Sequence, residues 1–141
     1  MKRKPELKTL KNKADVLFSK WVRMRDGNRC VMCGSTYMPQ CGHVFTRKNL
    51  STRWDEMNSF CQCAREKYMH ELAAWPYYKW FIQNFGQERL DELQRQHNTS
   101  KQMHRGDYEE LIASLEKKIA EFTPDQVRVY GSLADSDKPK G

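Results

Sequence analysis

No stretch of this chain approaches the run of about 20 apolar residues that a membrane-spanning helix requires. Its first residues, "MKRKPELKTLKNK", also lack the apolar core of a secretory signal. Apolar side chains are sparse throughout, 38% of 141 residues with a mean hydropathy of −0.92, which suffices for one small domain core. Cysteines number five, an odd total that fits a disulfide framework poorly. With no sign of export, the expectation is a cytoplasmic protein whose thiols stay reduced and serve as metal ligands. Acidic residues are missing from one region in particular. Residues 1–53 hold 3 Asp/Glu against 13 Lys/Arg, a net +10, whereas residues 54–141 hold 15 against 12, a net −3. A uniformly solvated surface would not separate charge in this way, so the first part of the chain is expected to face a polyanion, nucleic acid before others.

What the chain does have is large side chains: four Trp, six Tyr and six Phe concentrate its apolar area. A small core of this kind gains from a metal staple. Leu7, Leu10, Ala14, Leu17, Phe18, Trp21 and Val22 form one stripe at helical spacing over residues 6–25, with lysines and arginines filling much of the remainder. The turn residues 26–29 end that helix. Residues 36–45 suggest a short hairpin, and residues 46–60, without a clean period, read as loop. Helix resumes near Cys63, Pro76 opens a fresh one closed by Gly86, and residues 87–96 form another. A polar linker, with His97 and His104 solvated, leads to Asp107 as the cap of a helix ending at Phe122. Trp75, Tyr77, Tyr78, Trp80 and Phe81 are expected in the core rather than stacked on bases. From Thr123 the chain is expected to fray. The organisation is then a mostly helical α+β fold: a basic helix over 1–25 packed on a core domain, 26–122, with a flexible tail, 123–141.

Cys30-x-x-Cys33-Gly34 is a zinc-knuckle pattern, in which two thiolates reach one tetrahedral ion across a tight turn. Cys63 begins a second pair at a helix start, but position 66 is Glu. The fourth ligand is open: a Glu66 oxygen, Cys61 from the loop, or Cys41 folded back from the hairpin. The bland alternative is that the cysteines are small buried residues and no zinc binds. His43 follows Gly42 at the end of a short strand, and downstream come Asn58, Lys67, His70 and Glu71. Phosphodiester hydrolysis needs a base to activate water, a divalent ion against the developing charge, and cations on the phosphates. His43 is a sensible base. Glu71, with His70 as the weaker choice, is placed to hold Mg²⁺ or Mn²⁺. Arg47, Lys48, Arg53, Arg65 and Lys67, with Lys20 and Arg23 on the basic helix, are candidates for the DNA backbone.

Through "CVMCGS", "GHVFTR", "LSTRWDEMN" and the "QC" at 62–63, followed by "PYYKWFIQNFGQERLDELQ", the sequence resembles the NinG/Rap recombination endonucleases of lambdoid phages. These lie within the wider HNH, or His-Me finger (ββα-metal), nucleases. The likeness runs from about Leu10 to Glu121, with the diagnostic chemistry confined to 30–71. It implies a treble-clef-like zinc finger core, Cys30, Cys33 and Cys63 as structural zinc ligands, His43 as general base, and Asn58 as the residue orienting the base-bearing loop. It also implies branched DNA, such as D-loops and Holliday junctions, as substrate, and a bacterial cytoplasm as the setting. Three departures stand out: Glu66 in place of the fourth zinc cysteine, Lys67 where the wider group puts an ion ligand, and Gln40 in place of an acidic residue before Gly-His. They leave a second possibility, a catalytically degenerate zinc-finger module that binds DNA or serves recombination without cutting. A homodimer through helix 107–122 would suit a symmetric branched substrate.

Overall fold

The computed structural model describes residues 3–131. Helix α1, Leu7–Arg25, buries Leu10, Ala14, Phe18, Trp21 and Val22 along one stripe and carries Arg23 and Arg25 in its last turn, where cations suit the helix dipole. Its partner is α6, Arg105–Glu121: Leu10 and Ala14 pack with Tyr108 and Ile112, and Phe18, Trp21 and Val22 pack with Leu115. The apolar face of α6 is therefore covered by α1 within the chain. Asp107 is not the cap of α6. It is the N3 residue of a capping box, accepting from the His104 backbone N–H at 2.8 Å, so the cap and the helix start lie three residues earlier than expected.

Strand β1, Gln40–His43, pairs antiparallel with β2, Ser59–Gln62, placing Gln40 opposite Gln62 and His43 opposite Ser59. The hairpin expected within 36–45 does not form. Pro39 immediately before β1 has no N–H to give a ladder, and the strand's partner comes from beyond the following connection. That connection holds a four-residue helix, α2, Leu50–Arg53. Helix α2 falls inside the segment 46–60 that lacked periodicity, and β2 begins at its end. All four residues of β2 are buried, so no alternation marks it.

Helix α3, Ala64–Leu72, follows β2 directly, and α4, Trp75–Phe85, and α5, Gln87–His97, complete the layer beneath the sheet. Phe60 of β2 is the hub of the main core, edge-on to Trp80 at 4.9 Å and stacked on Phe85 at 5.5 Å between ring centres. Tyr77, Trp80 and Phe81 are core, as expected, but Trp75 is 61% exposed. Residues 123–131, expected to fray, are instead strapped to the core. The Arg128 N–H bonds the Arg25 carbonyl at 2.7 Å, Tyr130 packs on Phe60 and Trp80, and Asn84 brackets Gly131 with bonds of 2.8 and 2.7 Å. The rest of that tail lies outside the described residues.

One polar node sits inside this core. Arg25 and Asp26, both essentially inaccessible, pair at 2.8 Å. Asp26 also accepts the Cys61 N–H at 2.8 Å and the Tyr130 hydroxyl at 2.8 Å, while Arg25 donates to the carbonyls of Glu56 and Ser59. This node ties the end of α1, β2 and the C-terminal strap together. With its lone pairs and protons filled it is tolerable in low dielectric, and removal of either partner would strand a buried charge.

Candidate active cleft and metal centre

The knuckle Cys30–Gly34 turns back on itself: Gly34, at φ +76°, gives its N–H to the Cys30 carbonyl at 2.9 Å. This aims Cys30 and Cys33 toward Cys63, which caps α3 and accepts the Glu66 N–H at 3.5 Å. The three sulfurs all lie within 4.8 Å of one another, and those of Cys33 and Cys63 are 3.7 Å apart. Zinc–thiolate bonds of about 2.3 Å at a tetrahedral angle put sulfurs about 3.8 Å apart, so the donor set fits zinc. Burial, with the neighbouring Cys30 and Cys63 sulfurs adding to it, pushes the Cys33 thiol up to about 12, and burial raises that of Cys30, a cost that a divalent cation among the thiolates would remove. Among the described residues these three are the whole converging set. Cys41 and Cys61 face each other across the sheet instead, and the Glu66 carboxylate is not one of the converging donors.

Strand β1 borders a cleft of about 890 Å³. Its walls include α1 (Asp15, Arg23), the end of β1 (Gly42, His43), the start of the connection (Phe45, Arg47) and α3 (Lys67, His70, Glu71). Gln40 also borders it. Gly42 is needed here, since a Cβ would run into the Gln62 side-chain oxygen, and its carbonyl accepts the Tyr77 hydroxyl at 2.7 Å. His43 Nε2 lies 2.9 Å from the Arg53 carbonyl. A carbonyl only accepts, so Nε2 carries the proton and Nδ1 keeps the free lone pair. Burial lowers the His43 pKa, and the Arg47 charge lowers it further, leaving the ring neutral near pH 7.

The carbonyl that orients His43 is itself held. Arg53 forks onto Asp15 of α1, with Nε at 3.0 Å and Nη2 at 2.5 Å, and Trp54 Nε1 donates to the same carboxylate at 3.0 Å. Asn58 is fully buried and makes three bonds: it accepts the Phe45 N–H at 2.9 Å and donates to the carbonyls of Phe45 at 3.0 Å and Thr52 at 3.1 Å. It fastens both ends of the 44–58 connection and cannot touch a substrate, so it is a positioning residue. His97 is not solvated: its backbone and ring receive Asn49, Ser51 and Thr52, and it stacks on Phe45 at 5.3 Å. His70 Nε2 donates to the Val44 carbonyl at 3.1 Å, and its Nδ1 is buried with no partner.

The structure thus brings His43, Arg23, Arg47, Lys67, His70 and Glu71 to one cleft. Arg53 is engaged by Asp15, while Lys20, Lys48 and Arg65 are exposed outside it. Sequence reasoning missed Asp15. Its signal was present: it is the single acid in a helix otherwise rich in lysine and arginine. Among the described residues no second group of three His, Cys, Asp or Glu donors converges in the cleft. Among the described residues no helix is long and apolar enough to cross a membrane.

Residues 1–124 match the family model of the bacteriophage lambda NinG protein. No curated protein and no solved structure gave a match.

Proposed function

The chain belongs to the bacteriophage lambda NinG family, and from that premise we propose that it is a metal-dependent DNA endonuclease of the HNH type, with branched recombination intermediates as substrate. The observation that carries this reading is the neutral His43 imidazole, pinned through Nε2 with Nδ1 free, at the floor of a cleft walled by Arg23, Arg47 and Lys67. In it β1, β2 and α3 are the two strands and helix of a ββα-metal core, and Cys30, Cys33 and Cys63 hold a structural zinc.

His43 Nδ1 takes a proton from water as its oxygen forms a bond to phosphorus, and the opposite P–O bond breaks, its oxygen taking a proton from solvent. Arg23 and Arg47 hold the phosphate oxygens, and Lys67 adds a further positive charge at the helix. A bound Mg²⁺ or Mn²⁺ ion would supply Lewis acidity. Glu71 is the exposed carboxylate placed to share in holding it, with His70 behind it, and phosphate oxygens and water would fill the remaining positions.

A second reading rests on the scarcity of ion donors in the cleft and on Lys67 among them: a zinc-stabilised module that binds DNA without cutting it. The deciding experiment is cleavage of labelled four-way-junction, D-loop and linear duplex DNA in Mg²⁺ and in Mn²⁺, with His43→Ala alongside. Cutting that needs both the ion and His43 supports the nuclease. Tight binding with no cutting in either ion refutes it and leaves the binding module.

A further inference from the structure

Helix α3 inverts the usual pattern of a surface helix, since none of its residues is buried. Tyr68 is 60% exposed, Met69 44% and Leu72 65%, and Trp75, which opens α4 just beyond, is 61% exposed. Arg65, Tyr68, Met69 and Leu72 stand at i, i+3, i+4 and i+7, hence on one helical face. Arg65 is exposed, and no ion pair among the described residues engages it. A further aromatic, Tyr37, is 67% exposed, and its carbonyl accepts the Ala64 N–H at 3.4 Å, which sets its loop beside the start of α3.

Tyr68, Met69 and Leu72, neighbours on one helical face and exposed to this degree, mark a contact surface, and Trp75 follows three residues further along the chain. Two observations decide what covers this one. The neighbouring face of the same helix, carrying Lys67, His70 and Glu71, is a wall of the cleft lined by Arg23 and Arg47, so the patch continues a cationic surface. The exposed groups are chiefly aromatic rings accompanied by an unpaired guanidinium. Rings beside cations fit unstacked nucleobases with their phosphates, because every base offers a π-face.

We propose that Tyr68 and Trp75, with Arg65, form a stacking platform for unpaired nucleobases on the rim of the cleft. The platform binds the single-stranded part of a nucleic acid whose backbone passes over Lys67. This rests on the cleft being a nucleic-acid site, as in the function proposed above, but it does not require that the site cuts. Tyr37 flanks the platform at the start of α3 and extends it by one base.

The test uses the full chain in buffer without Mg²⁺ or Mn²⁺, so that binding is read apart from cleavage. The probes are a fluorescein-labelled dT20 strand and a duplex of equal length, titrated against the wild type, Tyr68→Ala, Trp75→Leu and the double variant. Of the four tryptophans, Trp21 and Trp80 are buried and Trp54 is hydrogen-bonded to Asp15, so quenching of exposed indole emission by dT20 reports on Trp75. Each single variant is expected to lose about ten-fold in dT20 affinity while duplex affinity stays within about two-fold. Trp75→Leu is also expected to lose the quenching. Unchanged dT20 affinity, or an equal loss on both probes, overturns the proposal. So does a wild-type dimer in sedimentation that the double variant dissolves, which would assign the patch to a second copy. If the wild type cuts no DNA yet binds dT20 with quenching that needs Trp75, the nuclease reading fails and the platform stands.

Discussion

Asn58→Ala isolates what holds the 44–58 connection in place. The side chain satisfies three backbone groups, the Phe45 N–H and the carbonyls of Phe45 and Thr52, and none of it reaches solvent. Each bond contributes about 1 kcal/mol net, and each buried group left without a partner costs about 1–3 kcal/mol. Water entering the space left by the amide recovers part of that loss. The expected destabilisation is therefore about 3–5 kcal/mol, read as a fall in the urea midpoint at unchanged slope and as a drop in Tm of about 10–20 °C. Asn58→Asp sharpens the test. A carboxylate keeps the acceptor for Phe45 but faces two carbonyls it cannot donate to, so its folded pKa rises above the unfolded value. A group raised in the folded state contributes stability below its unfolded pKa and loses it as pH rises through the folded one. Relative to wild type at the same pH, Asn58→Asp is thus expected to be least destabilised in mild acid. A loss under about 1 kcal/mol for Asn58→Ala, or a flat pH dependence for Asn58→Asp, would show that the connection is held by something other than this amide.

Asp15→Asn is expected to loosen the Arg53 fork and lower kcat by about 10–100-fold while DNA affinity changes little, a split that a merely structural role would not give. Single-turnover cleavage at saturating DNA measures it, and an unchanged kcat would refute the linkage. Burial lowers the pKa of His43, His70 and His97, so the unfolded chain binds more protons than the folded one in mild acid. Stability contributed by these groups is complete above about pH 6.5 and is lost as pH falls through their folded values, and urea unfolding at pH 5 and pH 7.5 checks the sign. Purified protein is expected to carry one zinc per chain by elemental analysis. Removal by a high-affinity chelator, or Cys33→Ser, is expected to lower Tm by about 10 °C or more, and a metal-free chain with the same Tm would refute the centre.

The long helices were legible because each repeats its stripe for several turns. Leu10, Ala14, Phe18 and Val22 specify the buried face of α1, and Tyr108, Ile112 and Leu115 specify its partner. Elements of four residues show no period, which is why α2 was hidden inside an apparent loop, β2 was missed at its end, and the hairpin was sought too early. The strap at 123–131 lacks any repeating signal, because its hold on the core is one aromatic ring and a few backbone bonds. At the metal centre, spacing was enough to bring out Cys30, Cys33 and Cys63, but the fourth position was open among Glu66, Cys61 and Cys41. None of those side chains converges with the three. Trp75 was assigned to the core by helical spacing alone. Spacing fixes which residues share a face, and only the packing of α4 against its neighbours shows that Tyr77, Trp80 and Phe81 are covered and Trp75 is not.

The basic helix α1 is part of the site rather than an arm added to it, and Asp15 is the reason. A cleft that holds phosphates must be positive, and positive charge near an imidazole favours its neutral form, as Arg47 does for His43. In the proposed nuclease too many free guanidiniums would compete for the phosphate, and Arg53 lies beside His43, whose Nε2 its carbonyl receives. Asp15 removes Arg53 from that competition, binds Trp54 as well, and so fixes the carbonyl that receives His43 Nε2. The Asp15 charge pulls the His43 pKa back upward, as does the bond to Arg53, so the two influences partly offset burial and Arg47. The bond from Nε2 to the carbonyl is also the same before and after Nδ1 takes a proton, since Nε2 donates in both states. In the proposed nuclease His43 would therefore change charge without moving, which is what a preorganised proton acceptor requires.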